Sequence, residues 1–573
     1  MAGGVAKVRR KVSLDCNGEG HLEEHMTEDI SNDENKTMVA RPQTVMLMGT
    51  SSHVGKSILA TALCRIFHQW GRRVVPFKAQ NMALNSYVTK DGLEMGRAQV
   101  AQAEAAGLAP AVDMNPVLLK PTGNACSQVV VDGRPIGNLS AKEYHKGKSV
   151  ELWQNVTAAL GRLAARCDTI VIEGAGSPAE INLKADDIVN MRVARYLHAP
   201  VLLIADIDRG GSLAALVGTL ALLTPEERAL VRGLVINKFR GDVTLLQPAV
   251  DFLEKKTGKP VLGIVPHVDD LGIDDEDSVS LEEKEAGADI QKDLTLAVIE
   301  TPKISNFTDF EALADEPDAH VVYVKTVAEL RAARPDAILL PGSKNTTEDL
   351  LHLRRHGLEG AIAEAVAGGT PLIGICGGYQ MMGEEVRDPL HTESENDAVR
   401  GLGYLPMVTT FAAEKRTVQV KADCPALEFL DGALCAKGLP GYEIHMGRTD
   451  FTVPVRHPFH ITWQGAERVN VWDGALRDDG QCFGTYIHGL FDHDGFRRQF
   501  LNVLRHKKGL PELPIQRNRR REKERAYDRL AETVKNALDM KQLCAIMKTA
   551  AAECKEWHDD GPVDTMKELL QNE

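Results

Sequence analysis

Short apolar runs alternate with longer segments of mixed polarity along most of the chain. One series of runs occupies residues 44–48, 74–77, 168–173, 201–205, 234–236 and 261–265, and a second occupies residues 294–299, 321–324, 337–340 and 372–375. Runs this short are typical of buried strands, and the segments between them are long enough for helices. Because strands that alternate with helices build parallel sheets, the pattern predicts an α/β protein with two doubly wound, mostly parallel-sheet domains.

Changes in composition divide the chain further. An acidic stretch that includes Asp274–Asp277 separates the two series of strands, and another runs from Glu19 to Glu34 near the N-terminus. We predict five segments: a disordered extension (1–42), a first domain (43–270), an acidic linker (271–293), a second domain (294–510), and a C-terminal helical extension with a tail (511–573).

Composition excludes several classes of protein. The chain of 573 residues carries a formal net charge of −14, which argues against a nucleic-acid binder. No apolar run reaches the eighteen or so residues needed to cross a bilayer. The ten cysteines lack the spacings of zinc sites or disulfide frameworks. We therefore expect a cytoplasmic protein without membrane or nucleic-acid partners, and the sequence predicts no particular oligomeric state.

A phosphate-binding loop follows the first apolar run. The segment Gly49-Thr-Ser-Ser-His-Val-Gly-Lys-Ser57 offers backbone N–H groups, a lysine for the terminal phosphates and a hydroxyl for Mg²⁺. Its first glycine lies one residue further from Gly55 than in the common pattern, and Thr50 fills the usual place. The residues predicted to contact ATP here are Gly49, Thr50, Gly55, Lys56 and Ser57.

Other strand ends in the first domain carry polar residues where a parallel sheet places its ligand contacts. Glu173 ends the run at residues 168–173 and is predicted to hold Mg²⁺ together with Ser57, whereas Glu180 is a weaker candidate. Asn237 and Lys238 follow another run and are predicted to face the nucleotide base. The loop Lys78–Ser86 is either a ligand contact or a solvated loop.

A cysteine stands at the end of a strand in the second domain. In Pro371-Leu-Ile-Gly-Ile-Cys-Gly-Gly-Tyr-Gln-Met-Met-Gly383, an apolar run ends at Cys376, and two glycines precede a segment that resembles a helix. A strand, nucleophile and helix in this order form an elbow that exposes the thiol, and a helix N-terminus favours the thiolate. A buried core cysteine is the alternative interpretation.

A distant histidine is the predicted partner of this thiol. His488 lies in Gly484-Thr-Tyr-Ile-His-Gly-Leu-Phe-Asp492, at a strand end before a glycine, and an imidazole there can take up the thiol proton and return it. His445 competes for the role of base. The Gly342 turn is predicted to lie near Cys376 and to offer N–H groups to an oxyanion.

These motifs together resemble one family, the cobyric and cobyrinic amide synthases, over residues 43 to 547 or so. In that family a dethiobiotin-synthetase-like ATP-binding domain precedes a class I glutamine amidotransferase domain. The similar segments are Gly49–Ser57, Phe77–Met82, Glu173–Glu180, Asp206–Gly211, Leu340–Thr346, Gly441–Gly447 and Tyr527–Leu530. The sequence Lys-Ala-Gln-Asn-Met at 78–82 favours the branch that makes cobyric acid over the a,c-diamide synthases.

The resemblance implies a carbon–nitrogen ligase with glutamine as nitrogen donor. Glutamine would be hydrolysed at Cys376 with His488 as acid and base, and the ammonia would pass to the ATP-binding domain. There ATP and Mg²⁺, held by Lys56, Ser57 and Glu173, would activate the b, d, e and g carboxylates of a corrinoid, adenosylcobyrinic a,c-diamide. Four amidations would give adenosylcobyric acid.

One position departs from the wider amidotransferase class, and two rival interpretations stay open. Many members carry an acid two residues after the histidine, where this chain has Leu490, so the sequence predicts a Cys–His dyad and does not identify the group that orients His488. The rivals are an a,c-diamide synthase and a P-loop scaffold ATPase with an inactive amidotransferase module.

Overall fold

The computed structural model describes residues 13–14, 20–21, 41–123, 125–268, 271–273, 292–554, 556–559 and 561. Two compact units are distinguished, Met1–Ala40 and Arg41–Glu573. In the first unit, Ser13–Leu14 pairs with Gly20–His21 in an antiparallel arrangement. Most of the predicted disordered extension and most of the predicted acidic linker lie outside the described residues.

The N-terminal half of the second unit, residues 43–266, is built on a six-stranded sheet in which every strand pair is parallel. Its strands, in spatial order, are Val261–Pro266, Val231–Phe239, Val201–Asp206, Gln43–Gly49, Thr169–Glu173 and Val74–Phe77. Its main helices are Lys56–Gln69, Arg97–Ala105, Trp153–Ala164, Met191–Leu197, Ser212–Ala221, Pro225–Leu230 and Gln247–Thr257. The order reverses direction beside the strand Gln43–Gly49, which precedes the predicted phosphate loop, and doubly wound sheets place ligands at such a point.

The C-terminal half, residues 294–507, contains a second parallel sheet with one antiparallel edge strand. Its strands, in spatial order, are Ala319–Val324, Leu294–Ile299, Ala337–Leu340, Leu372–Ile375, Cys482–Thr485 and Ala475–Leu476. Its helices are Glu311–Ala314, Val327–Ala333, Thr346–Arg355, Leu358–Ala367, Gly377–Met381 and Asp494–Lys507. The predicted fold class, two mostly parallel α/β domains, is therefore confirmed.

Antiparallel additions were missed by the alternation pattern. The two prolines of Asn115–Pro121, at positions 116 and 121, predict an irregular connection from the sequence. That prediction is wrong, because Val117–Gly123 is a strand between Cys126–Val131 and Gln80–Met82. In the C-terminal half, Met407–Phe429 and Gly432–Phe451 form a long hairpin that continues into a mostly antiparallel sheet. The further strands of that sheet are Glu385–Arg387, Ala398–Arg400, Phe459–Gln464 and Glu467–Asp473.

The two C-terminal helices, Arg519–Ala537 and Met540–Glu553, return to the N-terminal half. Their apolar residues join the core beneath the phosphate-loop helix, and Arg65 forms an ion pair with Asp528 at 2.8 Å. Close packing explains the glycine at position 263, because a Cβ there would lie 2.1 Å from the Ala537 carbonyl oxygen. These helices therefore belong structurally to the N-terminal half.

A short hairpin of the N-terminal half lies against the C-terminal half. Its strands are Ser86–Val88 and Glu94–Gly96. The Ser86 N–H donates to Asn306 Oδ1 at 2.9 Å, and the Tyr442 hydroxyl donates to the Ser86 carbonyl at 3.3 Å. The two halves thus meet through specific hydrogen bonds at this hairpin.

Candidate functional site

The thiol stands on a strained turn between a buried strand and a short helix. Cys376 has φ 53° and ψ −109°, between the strand Leu372–Ile375 and the helix Gly377–Met381. Such backbone angles in a residue other than glycine cost of order 1–3 kcal/mol and are found where a side chain must be aimed. Gly378 is required beside it, because a Cβ there would lie 2.1 Å from the Leu340 carbonyl oxygen.

His488 lies beside this thiol and is held by a buried carboxylate. Its Nδ1 lies 2.7 Å from Asp309 Oδ2, and Asp309 Oδ1 accepts the Gly489 N–H at 2.8 Å. Burial alone would lower the pKa of His488, but the Asp309 carboxylate and then the Cys376 side chain raise it to about 10. The arrangement therefore favours an imidazolium at His488, beside the Cys376 side chain.

Asp309 is the group that orients the His488 ring, which the sequence alone did not identify. Leu490, at the position where many class I amidotransferases carry an acid, is fully buried among apolar side chains. The carboxylate comes instead from a turn near the start of the C-terminal half, Asn306-Phe-Thr-Asp309, far from His488 in sequence. The sequence signal that could have identified Asp309 was a cluster of polar residues within an otherwise apolar stretch. Its pairing with His488 could not be seen because the two residues are far apart in the chain.

The competing histidine has a different environment. Burial, despite a hydrogen bond to the Gly447 carbonyl, lowers the pKa of His445 to about 3. Its Nδ1 lies 2.8 Å from that carbonyl oxygen, and its ring stacks on Tyr486 at 3.8 Å. A ring that stays neutral is poorly suited to hold the thiol proton, so the geometry favours His488 as the base.

The predicted Gly342 turn closes one side of the thiol site. A Cβ on Gly342 would lie 3.4 Å from His488 Cε1, and a Cβ on Gly377 would lie 2.6 Å from the Ser343 nitrogen. The turn is therefore the neighbour of the thiol that the sequence predicted. Cys376 and His488 line one cavity together, and Cys376 is 7% exposed.

The phosphate loop has the strand, loop and helix that its sequence predicts. The strand Gln43–Gly49 leads into the helix Lys56–Gln69, and Gly55 caps that helix with φ 94°. The Thr50 N–H donates to the Ile204 carbonyl at 2.9 Å. Lys56 Nζ donates to the carbonyls of Ser51 and Gly176, at 3.0 and 3.1 Å. Its ammonium group thus lies over the loop, at the position predicted for the terminal phosphates.

The residues predicted to hold Mg²⁺ lie together. Ser57 Oγ donates to Glu173 Oε1 at 2.8 Å. Lys78 Nζ lies 2.8 Å from the same oxygen, and Gln102 Nε2 donates to Glu173 Oε2 at 2.6 Å. A hydroxyl beside a carboxylate at the end of a phosphate loop fits Mg²⁺, because this ion takes few protein ligands and completes its shell with phosphates and water.

The other residues predicted to contact ligands in the N-terminal half lie in different environments. Asn237 Nδ2 donates to the Val54 carbonyl at 2.7 Å, so its amide braces the phosphate loop. Lys238 lies 3.2 Å from Asp206. Within the loop Lys78–Ser86, Lys78 and Asn81 are buried, so the solvated alternative was wrong there, and Glu180 is exposed.

Sequence comparisons place these centres in a known family. Residues 45–280 match the CobQ/CobB/MinD/ParA nucleotide binding domain, and residues 295–496 match the CobB/CobQ-like glutamine amidotransferase domain. A cobyric acid synthase of Moorella thermoacetica is 54% identical over 505 residues, which span 88% of this chain and 97% of that protein. The chain belongs to the cobyric acid synthase family. Further members, from Pelotomaculum thermopropionicum and Desulfitobacterium hafniense, are 52% and 50% identical over 88% of this chain and 96% and 97% of their own lengths.

Membership of the cobyric acid synthase family decides between the rival interpretations. Relatives at this identity carry the name cobyric acid synthase over nearly their whole length, which supports the main interpretation and neither rival. The chain itself has a nucleotide-binding half and a glutamine amidotransferase half. Among the described residues, no helix is both long and apolar enough to span a bilayer.

Proposed function

We propose that this chain converts adenosylcobyrinic a,c-diamide into adenosylcobyric acid by four amidations that consume ATP and glutamine. The near full-length similarity to cobyric acid synthases carries this proposal. The placement of Cys376 beside His488 supports the use of glutamine, and the phosphate loop supports the use of ATP.

Glutamine is cleaved at the thiol centre. The Cys376 thiolate attacks the side-chain carbonyl of glutamine, and N–H groups of the Gly342 turn stabilise the oxyanion. His488 donates its proton to the departing nitrogen, so ammonia leaves and a glutamyl thioester forms. Water then attacks the thioester with His488 as base, which releases glutamate and restores the thiol. Asp309 acts throughout as a positioning residue that holds the ring.

The carboxylate is activated at the phosphate loop. A corrinoid carboxylate oxygen attacks the γ-phosphorus of ATP, which gives an acyl phosphate and ADP. Ammonia attacks the acyl carbon, an amide forms, and phosphate leaves with the negative charge. Lys56 and the backbone N–H groups of residues 49–57 stabilise charge on the phosphates.

Ser57 and Glu173 would hold Mg²⁺ at this loop. The ion supplies charge neutralisation for the phosphates. Lys78 and Gln102 contact the Glu173 carboxylate and so fix the direction in which its oxygens point. Asn237 maintains the loop through Val54, and Lys238 completes the predicted nucleotide contacts.

The test supplies the purified full chain with ATP, Mg²⁺ and glutamine, and with either cobyrinic acid or its a,c-diamide. Added amides are counted by mass spectrometry. We expect the a,c-diamide to gain four amides. Conversion of cobyrinic acid only as far as the a,c-diamide would identify the sister enzyme, and ATP hydrolysis without any amidation would support the scaffold ATPase.

A further inference from the structure

A cluster of buried charges links the two halves of the molecule. Glu94 is shared by two lysines, because Lys120 Nζ lies 2.7 Å from its Oε1 and Lys415 Nζ lies 2.5 Å from its Oε2. Lys120 also donates to Ser86 Oγ at 2.9 Å, and Lys415 to Gln128 Oε1 at 3.3 Å. Lys415 belongs to the C-terminal half and the others to the N-terminal half, so the cluster bridges the two.

The cluster carries more positive than negative charge. Two ammonium groups face one carboxylate, and the three side chains are 5%, 6% and 0% exposed for Lys120, Lys415 and Glu94. Buried charges are costly unless they are paired, so an excess cation at such a depth calls for an anion. Each ammonium has three N–H donors, and hydrogen bonds to the described residues use two on each lysine.

The excess charge faces the thiol site. Lys120 and Lys415 line the same cavity as Cys376 and His488. Lys344 and Glu393 also line this cavity, but they form a pair of opposite charge at 3.7 Å and so do not change the net charge of its lining. An anion that enters this cavity with an amide for Cys376 would meet the two lysines.

Glutamine has this combination of groups, since its α-carboxylate is joined to its side-chain amide through the α-carbon and two methylenes. We infer that Lys415 and Lys120, positioned by Glu94, bind the α-carboxylate of glutamine, so that the nucleotide-binding half completes the glutaminase pocket. The inference rests on the proposed function and names residues that recognise its nitrogen donor. Glu94 is a positioning residue, because it contacts both lysines and holds their heads at the cavity.

The experiment compares two amides in the full chain. One is glutamine, and the other is 4-aminobutanamide, which is glutamine without its α-carboxylate. For Lys415→Met we expect the KM for glutamine to rise about 10- to 100-fold, the range for loss of a charged hydrogen bond, and hydrolysis of 4-aminobutanamide to stay within about twofold. The ratio of kcat/KM for glutamine to kcat/KM for 4-aminobutanamide should therefore fall by about the same 10- to 100-fold factor. Lys120→Met should act in the same direction.

The controls separate this inference from the proposed function and from misfolding. Lys415→Met leaves Glu94 paired with Lys120, so no buried carboxylate loses all its partners. Lys421→Met changes an exposed lysine on the same strand and should alter neither amide's kinetics. Ligation supported by ammonium chloride, which bypasses the glutamine pocket, reports whether each variant folds.

Three results would overturn the inference. An unchanged preference for glutamine in Lys415→Met would exclude carboxylate binding. An equal fall in kcat for both amides would assign Lys415 to the chemical step. Normal glutamine kinetics with fewer amides made per glutamine hydrolysed would assign it to ammonia transfer. If the wild-type protein hydrolysed no glutamine, the proposed function itself would fail.

Discussion

The two reactive centres share a design, a strand followed by a turn and a helix, but they use it differently. The predicted contacts of the phosphate loop are spread over nine consecutive residues, 49–57, and the loop continues into a helix of 14 residues, Lys56–Gln69. The thiol elbow presents one side chain, Cys376, before a helix of 5 residues, Gly377–Met381. Its other groups arrive from His488 and Asp309, far away in sequence.

This difference shows that a local sequence motif defines one centre, whereas the tertiary fold assembles the other. Backbone N–H groups and Lys56 suffice to surround phosphates, so a local motif defines most of that centre. A thiolate needs a proton acceptor and an orienting carboxylate, and only the assembled fold brings them together. Changes in the thiol centre should therefore separate glutamine use from ligation, whereas changes in the phosphate loop should stop ligation from every nitrogen source.

The largest effect is expected for Cys376→Ser. Glutamine hydrolysis should fall at least about 1000-fold, because the nucleophile is lost while binding is kept. Amidation supported by ammonium chloride should persist, since the phosphate loop is untouched. Amide formation from each nitrogen source is measured by mass spectrometry. Loss of the ammonia-supported reaction as well would contradict the separation of the two centres.

Asp309→Asn should lower glutaminase kcat by up to about 10,000-fold, the loss seen when the orienting acid of a catalytic triad is neutralised. The amide cannot stabilise the imidazolium, so the pKa of His488 should fall. The alkaline limb of the pH–rate profile should therefore move to lower pH, whereas a purely structural defect would lower activity without moving it. Asp309→Glu, which keeps the charge, should recover part of the activity.

The same contact makes stability depend on pH. The pKa of His488 is about 10 in the folded protein, above its ordinary value of 6.5, so folding favours the protonated ring. The stabilisation is complete below pH 6.5 and is lost as the pH rises towards 10. Urea unfolding at several pH values should show the stability difference between wild type and Asp309→Asn shrinking over that interval. A stability difference that stayed constant with pH would contradict a raised pKa for His488 in the folded protein.

Lys56→Met should lower ligation about 100- to 1000-fold with either glutamine or ammonia, because a cation that stabilises charge on the phosphates is removed. Glutaminase activity measured without ATP should remain. Equal loss of both activities would mean that the phosphate loop also maintains the thiol centre.

The smallest effect is expected for His445→Phe, which keeps an aromatic ring against Tyr486. Glutaminase kcat should fall less than about tenfold, because the neutral His445 ring does not exchange the proton. The matched change His488→Phe should abolish the activity. A reversed order of the two effects would make His445 the base.

The residues that sequence could identify are those whose neighbours in space are also neighbours in the chain. Gly55, Lys56 and Ser57 lie within one motif, and Cys376 stands on its own elbow. Apolar runs likewise predicted the parallel sheets, since burial on both faces removes alternation. Asp309 was missed because no local pattern links it to His488. The strand Val117–Gly123 was missed because Pro116 and Pro121 predict a break, although that strand pairs on both sides.

The most direct measurement follows the nitrogen atom. The full chain is given ATP, Mg²⁺, the a,c-diamide and glutamine labelled with ¹⁵N in its amide, and the corrinoid product is weighed by mass spectrometry. We expect ¹⁵N in each new amide with the wild-type protein and none with Cys376→Ser supplied with unlabelled ammonium. A wild-type product without label, or a labelled product from Cys376→Ser, would contradict it.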